Sequence, residues 1–219
     1  MAPDYKKLYQ KVCELYRKSK HFYYGEWDET FFTLRVFELC KKLIRKTLLE
    51  VDKEVVLTAA IFHDIGKTRL ETIPQIEEKW DKHPKYGEKI TRQILQKEKN
   101  LSTQFIDRVC CLIKHHENRP KKVEMMRSNE LKILQDAILL AELGIGKFIR
   151  PFLYSGKHKQ QIIHSINNGN YFNKNNNNIK ETILKLNLHV SRRIARKMIR
   201  ETDRLNKKLE EITRSELLK

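Results

Sequence analysis

Glycine and proline are scarce in this chain, 7 and 5 among 219 residues, so few turns interrupt it and long helical stretches are favoured. Cysteine is scarce too. The four, Cys13, Cys40, Cys110 and Cys111, show no Cys-x-x-Cys spacing, which argues against a thiolate metal site and reads as buried thiols in a reducing compartment. No apolar run approaches the roughly 20 residues that a membrane span needs, and the opening MAPDYKKLYQ lacks the apolar core of a signal peptide. The expectation is a soluble cytoplasmic protein. Acidic residues are in deficit, 28 against 45 Lys and Arg, for a net charge of +17. Such an excess draws polyanions, nucleic acid, nucleotides or anionic membrane surfaces, without choosing among them.

What is present is helical rhythm. Tyr5, Leu8, Tyr9, Val12, Leu15 and Tyr16 follow the i, i+3, i+4, i+7 spacing of an amphipathic helix over Asp4 to Lys18. Asp28 or Thr30 is placed to cap a second helix running through Phe31, Leu34, Val36, Phe37, Leu39, Cys40, Leu43 and Ile44. Val55 to Phe62 is apolar all round, which belongs in the middle of a bundle. His83-Pro84 opens a further helix, Thr103 another that ends in His115-His116-Glu117, and Glu130 to Leu143 a third that Gly144 stops. The segment Glu71 to Lys82 reads as exposed. After Gly156 come a polar helix around Gln160 to Ile166, an asparagine-rich loop at about 167–178, and two helices broken near His189 to Ser191. The expected organisation is an all-α core over residues 1–155 with a basic C-terminal helical extension over 156–219, packed on the same domain.

The stretch LTAAIFHDIGKTRL, from Leu57 to Leu70, ends an apolar helix in an adjacent His63-Asp64 pair. Burying an imidazole and a carboxylate together is costly without a partner, and a metal ion is a common one. Further candidate ligands are His83, His115, His116, Asp136 and Glu142, each at a helix end or inside an apolar face. On the C-terminal helix, Arg192, Arg196 and Arg200 fall at i, i+4, i+8 with Arg193 and Lys197 beside them. That stripe reads as a solvated face or as a surface for RNA or DNA.

The segments TLRVFELCKKL, AAIFHDIGK, HPKYGEKITRQIL, CCLIKHHENRP, ELKILQDAILLAELGIGKFIRPF and KETILKLNLHVSRRIARKMI resemble, in order and over nearly the whole chain, the HD superfamily of metal-dependent phosphohydrolases, in its small stand-alone branch. The resemblance implies an all-helical bundle with the site at its centre, and a divalent metal (Zn, Mn, Fe or Mg). Two ligand positions of the family's primary site are apolar here: Phe32 stands two residues before the LRV segment, and Ile138 takes the second Asp of the family's DAD string. The resemblance places a second ion at Asp64, His83, His115 and His116, with His63 orienting Asp64 or a water and Lys67 and Arg150 as phosphate partners. One ion or none is therefore expected. The implied reaction is hydrolysis of a phosphoester in a phosphorylated small molecule or nucleotide. The alternative is a catalytically inactive HD-fold protein that binds nucleotide or nucleic acid through its basic surface.

Overall fold

A computed structural model describes residues 2–19, 25–70, 81–117, 128–144 and 176–213; among them are eight α-helices and no strand. The all-helical expectation holds. The chain divides into two compact units, Met1–Ala137 and Ile138–Lys219, a division that falls inside the sixth helix.

The first unit is built from α1 (Tyr5–Lys18), α2 (Gly25–Lys46), α3 (Lys53–Phe62), a 3-10 turn (Ile65–Arg69), α4 (His83–Leu95), α5 (Thr103–His115) and the first part of α6 (Asn129–Ala141). Side chains one residue ahead of three helices satisfy open backbone donors: Asp4 accepts from Lys7 N, Asp52 from Val55 N and Ser102 from Phe105 N, each worth about 1 kcal/mol. The apolar rhythm of α1 turns Leu8, Val12 and Tyr16 inward. The second helix starts earlier than expected, at Gly25, so Asp28 and Thr30 lie inside it rather than capping it. Thr30 is instead a docking point, its carbonyl accepting the Tyr9 hydroxyl at 2.9 Å.

Helix α3 is the centre of this unit. Every residue from Val55 to Phe62 is buried, against α1, α2 and α5, and a fully buried Val, Ile or Phe contributes roughly 1.5–3 kcal/mol. Ion pairs lie around the rim: Lys7 and Lys11 reach Glu98 at the end of α4, and Arg108 of α5 joins the cap Asp52 and Glu130 of α6. Exposed pairs of this kind add little stability but fix which helix ends meet.

The 3-10 turn packs tightly against α4. A Cβ built on Gly66 would lie 1.9 Å from the His83 carbonyl oxygen and 2.5 Å from Gly87 N. Only glycine fits there, and the absence of a side chain brings the residues just before the turn up against the first turn of α4.

In the second unit, α7 (Asn176–Lys185) and α8 (His189–Thr213) pack together, with Leu186, Ser191, Ile194 and Ala195 buried. Gly144 takes φ 69°, left-handed backbone that suits a residue beyond a helix end. The asparagine run is partly helical: Asn176 to Asn178 form the first turn of α7, where backbone N–H groups have no intrahelical partner in any case. The break between the last two helices falls at 186–188, and the Arg192 guanidinium donates twice to the Leu186 carbonyl, at 3.1 and 2.8 Å. Arg192 therefore closes the end of α7 and leaves the arginine stripe to the exposed Arg193, Arg196 and Arg200.

The cysteines are all free thiols but not all buried: Cys40 and Cys110 are, Cys13 is half-buried and Cys111 faces solvent. Burial pushes the Cys110 thiol up to about 11. No helix among the described residues is long and apolar enough to cross a membrane. Residues 71–80, Arg150, the stretch 160–166 and the asparagine run up to 175 lie outside the described residues.

Candidate metal centre

Asp64 follows α3 by two residues and is buried. Its backbone is held from a third element, because the buried Tyr16 hydroxyl of α1 donates to its carbonyl at 2.8 Å. The two carboxylate oxygens then face different neighbours. Oδ2 accepts the Lys67 ammonium at 2.7 Å and lies 3.3 Å from His63 Nε2. Oδ1 lies 3.4 Å from His83 Nε2 and 3.8 Å from His116 Nε2.

The imidazoles are oriented by the helices that carry them. His63 and His116 each stand just past a helix, where last-turn carbonyls lack an intrahelical donor. Each Nδ1–H donates to the carbonyl three residues back, His63 to Ala60 at 2.9 Å and His116 to Ile113 at 2.6 Å. That hydrogen bond selects the tautomer whose Nε2 carries a lone pair, the state in which imidazole binds metals. His83, the first residue of α4, presents its Nε2 3.2 Å from that of His116.

Asp64, His83 and His116 thus offer one carboxylate oxygen and two imidazole nitrogens, all within 4.8 Å of one another and all buried. An ion bonded at about 2.0–2.2 Å spaces its donors roughly 3.0–3.5 Å apart in octahedral or tetrahedral geometry. Separations of 3.2, 3.4 and 3.8 Å are close to that spacing, and the donor types suit Zn, Mn or Fe. The residues fit the group.

The charges are arranged to the same end. Burial works to raise the Asp64 carboxyl, but the Lys67 ammonium and the His63 and His116 rings outweigh it and hold the group well below the usual carboxylate range. Burial works to lower His116, yet the carboxylates of Asp64 and Glu117 beside its Nε2 outweigh it and push it up to about 9. Glu117 is half-exposed, 3.5 Å from His116 Nε2 and 3.9 Å from His83 Nε2, and its carboxyl is lowered chiefly by the His116 hydrogen bond.

A pH dependence follows. A raised His116 stabilises the ion-free protein fully below about 6.5, the ordinary histidine value, and that contribution is lost as pH climbs through about 9. Metal uptake needs the neutral ring, so it displaces one proton below pH 9. Calorimetric affinity for Mn²⁺ is expected to rise about tenfold per pH unit between 7 and 9 and then to level.

The remaining expected residues are distributed as follows. His63 is within reach of Asp64 but outside the three-donor set, and its buried Nε2 has no hydrogen-bond partner. His115, expected as a fourth ligand, is also outside that set: it is half-buried, and its carbonyl accepts from Gln135 at 3.3 Å. Lys67, expected on a substrate phosphate, is engaged with Asp64. Asp136 and Glu142 are not among the three, and Ile138 belongs to the second unit. Phe32 is buried with its ring centroid 5.9 Å from that of His63, so a hydrocarbon wall stands beside that imidazole.

Glu117 was not singled out by sequence, although its place directly after two histidines is a signal. It borders a cleft of about 660 Å³ whose lining also includes Asp81, His83, Lys85, Lys114 and His115. That volume suits a small molecule.

Residues 33–137 match the HD domain family model. No curated protein matches the chain. Among solved structures, the chain is similar to Bacillus subtilis YpgQ in complex with ADP, with 18% identity, TM-score 0.60 and coverage of 97% of this chain and 99% of that one. It is also similar to an HD-superfamily hydrolase from Bacillus thuringiensis, with 15% identity, TM-score 0.57 and coverage of 97% and 100%. At such identities these structures speak for the fold, while the family model is matched by the segment that carries Asp64, His83 and His116. Residues 33–137 of this chain are thus those of an HD domain.

Proposed function

We propose that this protein is a metal-dependent phosphohydrolase that cleaves a phosphoester or phosphoanhydride bond of a nucleotide, with its ion held by Asp64, His83 and His116. The observation that carries the reading is the pair of imidazole nitrogens 3.2 Å apart, both facing one buried carboxylate oxygen. In an ion-free interior, two such lone pairs are at odds unless a proton sits between them. When bound, the ion supplies positive charge to a phosphoryl oxygen and lowers the pKa of water.

The chain's own groups do the rest. Lys67 keeps Asp64 ionised in spite of burial. Lys85 and Lys114, exposed on the cleft that His83 and Glu117 border, hold the anionic part of the substrate, with His115 as a further donor. Glu117 stays ionised at the mouth and orients water by accepting its hydrogen bonds. The relative solved with ADP supports a nucleotide as the class of substrate.

Release of phosphate from nucleoside mono-, di- and triphosphates, with and without added Mn²⁺, tests the reading. Ion-dependent turnover is expected, and Lys85→Glu with Lys114→Glu is expected to raise KM about tenfold or more while kcat changes little. No turnover with any ion would overturn it.

Phe32 favours a second reading, since its ring closes one side of His63. A protein retaining the fold but not the chemistry would bind nucleotide with equal affinity with and without Mn²⁺. Tightening on Mn²⁺ addition rejects that reading.

A further inference from the structure

We propose that a groove between α1, the 3-10 turn and α4 is a second binding site, for the polyphosphate group of a small molecule, separate from the metal centre and its cleft. The groove has a volume of about 290 Å³. Three exposed cations border it: Lys18 at the end of α1, Arg69 at the end of the turn and Lys97 just beyond α4. No acidic side chain among the described residues lines it. The deeper lining is aliphatic, made by the half-buried Leu15, Ile90 and Ile94. None of these residues borders the cleft beside His83, and Ile90 lies about 10 Å further along α4 at roughly 1.5 Å per residue.

Elsewhere in this unit cations at the rim are matched by acids: Lys7 and Lys11 with Glu98, Arg92 with Asp107, Arg108 with Asp52. Lys18, Arg69 and Lys97 make no ion pair among the described residues, and Glu98, next in sequence to Lys97, is already held by two lysines. Helix ends account for part of this charge. Each C-terminus carries about half a negative charge, so the ends of α1 and α4 offset roughly one cation of the three and leave about two positive charges facing the groove. The Ser19 and Thr68 hydroxyls donate to the carbonyls of Tyr16 and Ile65, at 2.9 and 2.7 Å. The donors left for a ligand are the three cations and the Gln93 amide. Phosphate oxygens accept such charge-assisted hydrogen bonds, and the aliphatic lining suits an apolar body attached to them. The site stands whether or not Asp64, His83 and His116 hold an ion.

The test is calorimetric titration of the ion-free full chain with ATP in EDTA, with the cleft disabled by Lys85→Glu and Lys114→Glu. This background is expected to bind one ATP per chain. Adding Lys18→Gln, Arg69→Gln and Lys97→Gln is expected to weaken that binding at least about tenfold. Adding Lys42→Gln, Arg45→Gln and Lys46→Gln instead removes the same charge from the end of α2. Tyr5 packs on Phe37 and Tyr9 reaches Thr30, so α1 and α2 run antiparallel. That end therefore lies about 20 Å from Lys18, beyond the roughly 10 Å screening length at 0.1 M salt, and less than about a twofold change is expected. In the unmutated chain, the amide NMR signals of Ser19, Thr68 and Gln93 are expected to shift on addition of ATP. Pyrophosphate in place of ATP separates the two sources of the polyphosphate: equal affinity identifies the free anion, tighter ATP a nucleotide. No binding of either by the cleft-disabled chain, equal weakening by the two sets of substitutions, or unmoved amides at the groove would each overturn the inference. A failure of Mn²⁺-dependent turnover would leave it intact.

Discussion

Gly66→Ala is expected to destabilise the protein by about 3 kcal/mol or more and to weaken metal binding at least about a hundredfold. The added methyl would meet the His83 carbonyl oxygen at 1.9 Å, the His83 carbonyl carbon at 2.8 Å and Gly87 N at 2.5 Å. All three are backbone atoms, so no rotamer relieves the clash and α4 must move away from the turn. His83 is the first residue of α4 and Asp64 immediately precedes the turn, so their 3.4 Å approach is lost with it. Gly87→Ala is the control. Its methyl meets the Ile113 Cγ2 atom at 3.1 Å, a contact that a shift of a few tenths of an ångström relieves, and about 1 kcal/mol with metal binding retained is expected. Thermal or urea unfolding of the ion-free proteins, followed by Mn²⁺ titration, checks both.

Asp64→Asn is the second large effect, and it separates the two jobs of that carboxylate. The shape of the side chain is kept while its charge is removed, which takes away the carboxylate that the buried Lys67 ammonium meets at 2.7 Å. Breaking a buried pair in this way costs about 3 kcal/mol. The same change removes the one anionic donor of the three-donor set, so metal binding is expected to fall beyond detection at millimolar ion. It also returns His116 toward the ordinary histidine range, because Asp64 is one of the two groups holding it up. A histidine NMR titration is expected to show that downward move. If His116 titrates unchanged in Asp64→Asn, the carboxylate is not the group that perturbs it.

The parts of the fold legible in sequence were those with an unambiguous rhythm. Val55 to Phe62 had no polar face to place in solvent, so its central position followed. His83 was marked as a helix start by Pro84, and His63-Asp64 by the apolar run before them. The choice between His115 and His116 was also available: Leu112 and Ile113 are buried on α5, and His116 stands four and three residues beyond them, on their face. His115 follows the exposed Cys111 by four and so turns away.

What composition and spacing did not reveal are contacts made across elements. Nothing about Tyr16, one apolar position among several on α1, announces a hydroxyl that fixes Asp64. Gly66 reads as a turn residue and gives no hint that α4 lies against it. Arg192 reads as one of a stripe, and its capping role appears only when the break before α8 places the Leu186 carbonyl within its reach. Lysine is so often a surface residue that a buried Lys67 is recognisable only from the carboxylate it meets.

The central claim is that one divalent ion is held between Asp64, His83 and His116, and it is met most directly by Mn²⁺ titration of the ion-free chain beside its His83→Ala/His116→Ala variant. Saturable uptake of one ion per wild-type chain, weakened more than about a hundredfold in the variant, is the expected result. A wild type that takes up no ion, or a folded variant that binds Mn²⁺ as tightly as wild type, would contradict it.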